Sequence, residues 1–204
     1  MSGKTDAAFG RIEPDLGAHR ARQPRVGPRL GRPDALVERA EDQKIGGLKP
    51  RFERYKSVSN TVFEIFHRFT PLVEGLSLDE AFLDVTNSQV ALGSAENIAK
   101  QIKRLIAEQT RLTASVGVAP NKLVAKIASD LRKPDGLVVV KPEEVTAVLD
   151  PLPIRRLFGI GNKTAPQLER LGIVTLRDLR LAPDATLRSA FGKYTGYMKA
   201  RAAG

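Results

Sequence analysis

At Pro50 the character of this chain changes, and that boundary constrains its fold more than any single motif. The first 50 residues hold 5 Pro, 7 Gly and 7 Arg, with apolar residues scattered singly and no sustained period of 2 or 3.6. Residues 20–32 are basic and broken by Gly and Pro, a composition that does not order by itself. One short helix is permitted over residues 33–43, with Pro33 in its first turn. Residues 1–49 are therefore read as an irregular segment.

Beyond Pro50 regular periods begin. Phe52, Tyr55, Val58, Val62, Ile65, Phe66 and Phe69 recur at helical spacing, predicting a helix that ends before Thr70-Pro71. Residues 73–78 and 80–85 read as a strand hairpin with Asp79 and Glu80 near its turn. A helix is expected over residues 94–110, capped by Ser94 and striped by Ile98, Ile102, Leu105 and Ile106. A strand over 112–119, a helix over 121–132 opened by Asn121, and a buried strand over 136–140 follow. Helices and strands alternating around a small sheet make the class α+β or α/β. From Pro142 the pattern is helical only, with Asp150-Pro151-Leu152-Pro153 as a joint and glycines between short helices. Residues 50–141 and 142–204 are thus read as two units.

Composition narrows the function classes. An apolar fraction of 42% supports a core, and no apolar run approaches the length of a membrane span, so no membrane role is expected. Without cysteine there are no disulfides, thiolate metal sites or thiol nucleophiles. Nothing at the N-terminus resembles a secretory signal, which makes the cytoplasm the default location. Of 33 basic and 23 acidic side chains, 10 and 7 lie in the first 50 residues, so the ordered part alone carries +7. A basic surface favours a polyanionic partner. His19 and His67 are read as bystanders.

Two adjacent carboxylates share one site only at a turn or strand end, because neighbouring side chains in a straight strand point to opposite faces. Such a pair repels itself unless a cation holds it, and Mg²⁺ suits oxygen ligands shared with waters and phosphates. A solvated acidic turn is the plain alternative. Further along, Gly159-Ile160-Gly161-Asn162-Lys163 permits a tight turn, with Asn162 expected to cap a helix beginning near Lys163. With residues 152–157 before it and 168–173 after it, this is a helix-hairpin-helix signature. Hairpins of this kind hold the DNA backbone through outward N–H groups without reading sequence.

The segment Val73-Glu74-Gly75-Leu76-Ser77-Leu78-Asp79-Glu80-Ala81-Phe82-Leu83-Asp84-Val85 resembles the palm motif of the Y-family, translesion DNA polymerases, especially the DNA polymerase IV group. Pro50-Arg51-Phe52-Glu53-Arg54-Tyr55 with Val58-Ser59 is similar to the helix entering that motif. The most specific block is Ser115-Val116-Gly117-Val118-Ala119-Pro120-Asn121-Lys122-Leu123-Val124-Ala125-Lys126-Ile127-Ala128-Ser129-Asp130 with Lys133-Pro134-Asp135-Gly136. Leu157-Phe158-Gly159-Ile160-Gly161-Asn162-Lys163-Thr164 resembles the family's thumb. The likeness runs from about Pro50 to the C-terminus. It implies a partial palm, a ferredoxin-like sheet with helices, followed by a small all-α thumb built on the helix-hairpin-helix.

The resemblance implies that Asp79 and Glu80 are catalytic metal ligands for two Mg²⁺ ions, which bracket an in-line displacement at phosphorus. It also implies that Lys133 contacts the incoming deoxynucleoside triphosphate, and that Gly159, Gly161, Asn162 and Lys163 contact the DNA backbone. Primer-template DNA is the implied partner, with a sliding clamp for full-length members. Lys126 reads equally as a site or a structural residue, Asp84 as a strand-end residue, and Ser77 as structural.

The likeness fails at both ends. The family's palm begins with a strand carrying another catalytic Asp, then aromatic and fingers residues. Asp6-Ala7-Ala8-Phe9 echoes that strand without an apolar run before it, and is not read as its counterpart. The chain stops at Gly204 within the thumb, and the little finger has no counterpart. The expectation is a truncated, impaired polymerase whose first 49 residues come from a frameshift or a mispredicted start. Its missing strand would leave hairpin edges open. The alternative is a non-catalytic DNA-binding fragment acting through its basic thumb. A nuclease using the same acidic pair is a third reading, disposed of if DNA is not cleaved.

Overall fold

The computed structural model describes residues 5–14 and 52–204. The helix expected over residues 33–43 and the basic stretch 20–32 lie outside the described residues.

Strand β1 (Asp6–Pro14) is followed by helix α1 (Phe52–His67), then by the hairpin β2 (Val73–Gly75) and β3 (Ala81–Asp84). A single helical turn α2 (Gln89–Leu92) leads into α3 (Ala95–Thr110), β4 (Leu112–Ala119), α4 (Lys122–Leu131) and β5 (Leu137–Val139). The remainder is helical: α5 (Val145–Leu149), α6 (Ala165–Arg170), α7 (Leu176–Leu181), α8 (Asp184–Phe191) and α9 (Thr195–Ala203), with 3-10 turns between. The strands form one sheet in the order β2-β3-β1-β4-β5. All pairs are antiparallel except β4 with β5. The class is α+β, as the sequence pattern indicates.

One expectation is corrected by the centre of this sheet. The gap between β3 and β4 is filled by residues that the sequence pattern assigned to an irregular segment. Asp6, Ala7, Ala8 and Phe9 face Asp84, Leu83, Phe82 and Ala81 of β3, and the same residues face Ala119 to Val116 of β4. The physical reason is demand. β3 and β4 each present a row of backbone donors and acceptors that a strand between them satisfies on both sides, which outweighs the weak strand propensity of DAAFGRIEP. Ala7 is 1% exposed, so its methyl joins the core.

Helices cover both faces of the sheet. Ile98, Ile102 and Ile106 of α3 are fully buried with Val62, Ile65 and Phe66 of α1 against Leu83, Val116 and Val118. Each such side chain contributes about 2 kcal/mol on burial. Together they outweigh the Ser94 cap, which accepts from Asn97 N–H at 3.2 Å and is worth about 1 kcal/mol. On the other face lies α4, with Val124, Ala125, Ile127 and Ala128 buried. Gly117 makes this contact so close that a Cβ there would sit 2.1 Å from the Ala125 carbonyl oxygen.

The apolar side of α4 belongs to the same core as Leu149, Ile154, Leu157, Leu168, Leu176 and Leu187 of the helical region. Residues 142–204 therefore pack as a layer on α4 and share its core. Arg180 fastens the joint, its guanidinium donating to both oxygens of Asp150 at 2.7 and 3.0 Å. Helix α7 opens with a reciprocal cap. Asp178 accepts from the N–H groups of Thr175 and Val174, and Thr175 accepts from Asp178 N–H. These bonds hold the Asp178 carboxyl below the usual carboxylate range. Thr175 N–H is the largest cause, followed by the Thr175 hydroxyl and then Val174 N–H.

Candidate functional site at the β2–β3 hairpin turn

The hairpin turn closes through Leu76 and Ser77 N–H groups, both donating to the Glu80 carbonyl at 2.8 and 3.3 Å. This local bonding holds Asp79 and Glu80 together at the mouth of the strands, as adjacency at a turn requires. Both are half-buried. The Ser77 hydroxyl donates to Asp79 Oδ1 at 2.7 Å, which fixes the carboxylate orientation. Asp84 closes the opposite end of β3, and its Oδ1 accepts from Thr86 N–H at 3.0 Å.

Helix α4 faces this hairpin with two lysines four residues apart. Lys122 pairs with Glu74 on one arm and lies 5.7 Å from the Phe82 ring centroid. Lys126 donates to Glu80 Oε1 at 2.6 Å. Asn121 sets the register of both, because its side chain accepts from Val124 N–H at 3.0 Å and starts the helix there. Lys133, expected at the triphosphate, is not brought onto the acidic pair. Its ammonium is held by Asp130 at 2.6 Å, on the turn of α4 beyond Lys126. The loop after it is anchored by Lys103, which donates to the Asp135 and Ala114 carbonyls at 2.7 and 2.6 Å.

Opposite α4 stands the second candidate site. Lys126, Asp130 and their neighbours form one wall of a 480 Å³ cleft, and residues 155–161 form the other. Gly159, Gly161, Asn162 and Lys163 are all exposed on the turn between a 3-10 turn (Ile154–Arg156) and α6. Gly159 adopts a φ of 101°, which only glycine takes without strain. Asn162 does not cap a helix at Lys163. Helix α6 begins two residues later, at Ala165, whose N–H bonds to the Gly161 carbonyl at 2.9 Å. Residues 162–164 form a turn instead, leaving the N–H groups of Gly161, Asn162 and Lys163 without an acceptor among the described residues. The hairpin is braced by Arg155, whose guanidinium donates to both Glu169 oxygens at 2.9 and 3.1 Å. That bracing raises the Arg155 pKa. Arg201 of α9 donates to the Phe158 carbonyl at 2.7 Å from the far side.

The family model described as impB/mucB/samB matches residues 29–130, and one described as the IMS family HHH motif matches residues 142–173. This chain belongs to the impB/mucB/samB family. It is 53% identical over 157 residues to DNA polymerase IV of Xanthomonas campestris pv. campestris (strain 8004), covering 77% of this chain and 44% of that protein. DNA polymerase IV of Ralstonia nicotianae is 49% identical over 158 residues, covering 78% and 44% respectively. Among solved structures, DinB from Sulfolobus solfataricus superposes with a TM-score of 0.68 at 39% identity, covering 74% of this chain and 45% of that one. A DinB family error-prone DNA polymerase from the same organism gives 0.70 at 28% identity and covers 97% of this chain and 66% of that one. The chain thus spans under half the length of the curated relatives it matches.

The register of β1 fixes which of its residues lie near the acidic pair. Asp6 is level with Asp84 and Phe9 with Ala81, and Glu80 lies one residue beyond Ala81, at the other end of the pairing. A strand rises about 3.3 Å per residue, which places Asp6 roughly 13 Å from that level. Its backbone position is at the wrong end of β3 to join Asp79 and Glu80. The donor set at the turn, two carboxylates, fits one Mg²⁺ that keeps waters and substrate oxygens in its shell. Among the described residues no group of three or more His, Cys, Asp or Glu side chains suited to a metal occurs.

Proposed function

We propose that the chain carries palm and thumb elements of a template-directed DNA polymerase of the translesion type. In this reading Asp79 and Glu80 hold Mg²⁺, which when bound steadies negative charge on the transferring phosphate. Lys133 meets the triphosphate after release from Asp130, as a point charge on a flexible stem. Gly159, Gly161, Asn162 and Lys163 hold the DNA backbone through their outward N–H groups and the Lys163 ammonium. Primer-template DNA and a deoxynucleoside triphosphate are the partners. A sliding clamp and a cytoplasmic location go with the same reading, and no helix among the described residues is long and apolar enough to cross a membrane. The observation that carries the proposal is the paired carboxylate turn set on α4 beside the hairpin cleft. Two-ion chemistry of the complete family type needs a third carboxylate, so extension by this chain is expected to be weak.

The second reading, DNA binding without catalysis, is favoured by one observation: Asp6 pairs with Asp84, at the end of β3 away from Glu80. Primer extension with Mg²⁺ by the whole chain and by Asp79→Ala tests both. Extension lost in Asp79→Ala supports the polymerase reading, and extension that survives it refutes the site. DNA binding without any extension selects the second reading. Binding should fall with salt in either case, since phosphate contacts release counterions.

A further inference from the structure

Lys126 was equally a site or a structural residue from sequence, and its placement gives it a specific task. Its ammonium donates to Glu80 Oε1 at 2.6 Å, and the two side chains are only 29% and 24% exposed. The backbone that carries it is fixed, because Val124, Ala125, Ile127 and Ala128 around it are buried under the sheet and the helical layer. Lys122 with Glu74 already ties α4 to the hairpin, so Lys126 is not needed as the sole tether. What distinguishes Lys126 is the oxygen it occupies. It neutralises one of two clustered carboxylates and fills a coordination position with a monovalent group. Its other neighbour is the cleft lined by Asp130 and residues 155–161, into which a four-carbon stem can swing without moving the helix.

We propose that Lys126 is the resident counter-ion of Glu80, which a divalent cation must displace to bind at the hairpin. Lys126 thereby sets the cation affinity of the site as a positioning residue. This rests on the reading of Asp79 and Glu80 as cation ligands. Of these three groups alone, two carboxylates and one ammonium carry one net negative charge, and removing the ammonium leaves two.

Mn²⁺ binding to the whole chain, followed by the electron paramagnetic resonance of the free ion, is the test. Lys126→Met should bind Mn²⁺ about fivefold more tightly, the upper end of what an ion pair at the surface is worth. Lys126→Arg, which keeps a cation on Glu80, should stay within about twofold of the parent by the same measure. Unchanged or weaker binding in a folded Lys126→Met protein overturns the proposal. In the parent protein, lysines tagged with ¹³C-methyl groups provide a second readout, taken on the unsubstituted protein. Mg²⁺ should move the resonance assigned by its loss in Lys126→Arg toward that of a solvated lysine, and a resonance that stays in place overturns the proposal. Asp79→Ala separates the two ideas. If it leaves Mn²⁺ binding intact, the cation-site reading fails. If it abolishes binding while Lys126→Met changes nothing, only the role of Lys126 fails.

Discussion

Substituting Gly117 by alanine tests the contact on which the site depends. The added Cβ would lie 2.1 Å from the Ala125 carbonyl oxygen, 2.5 Å from Ser129 N and 2.8 Å from Ala128 Cβ. Two of these are backbone atoms of α4 and cannot rotate away. Ordinary contacts are about 3.5 Å, so the helix must retreat by roughly 1 Å. Overpacking of this kind costs about 1–3 kcal/mol, and the backbone character of the clash selects the upper end. For a chain of this size about 3 kcal/mol lowers Tm by about 6–12 °C. Thermal unfolding followed by circular dichroism measures it, with Ala128→Gly added as a second substitution. That change removes only the mildest of the three contacts, so the double variant should regain little. A Gly117→Ala protein melting within about 2 °C of the parent would refute the close approach of β4 and α4.

Two further outcomes follow from the caps. Asn121→Ala removes the acceptor of Val124 N–H and should cost about 1 kcal/mol, read as a Tm fall of about 2–4 °C; no fall would mean that the helix starts elsewhere. Asp178 has a folded pKa below its unfolded value, so the stability it contributes is present above the unfolded pKa, near 3.8, and is lost as pH falls through the folded one. Asp178→Asn should therefore be less stable than the parent at pH 7, with the gap narrowing below pH 4 in urea titrations; a gap independent of pH would contradict the capping role.

The shared core bears on how the proposed DNA-binding part can be studied. Leu149, Ile154 and Leu157 share one buried cluster with Val124 and Ala128 of α4, so residues 142–204 cut away from α4 would expose that face. DNA binding by the hairpin is better measured in the whole chain.

Sequence alone determined the elements whose apolar period is long. The α3 stripe, the β4 run and the start of α4 at Asn121 fall where the residues placed them, because burial period and side-chain caps are local properties. Adjacent Asp79 and Glu80 required a turn, and the hairpin supplies one. The ferredoxin-like expectation was sharpened to a five-stranded sheet whose centre the sequence had left empty. Segment 6–14 has too weak a strand pattern to declare itself, and only the two unsatisfied edges beside it make it a strand. The choice between the lysines was equally tertiary. Lys126 and Lys133 look alike along α4 and beyond its end, but the crossing of that helix over the sheet brings Lys126 to Glu80 and leaves Lys133 with Asp130. Register is tertiary too, since a strand's end-to-end position is fixed by its neighbours. That is why Asp6 lies level with Asp84 and not with the acidic pair.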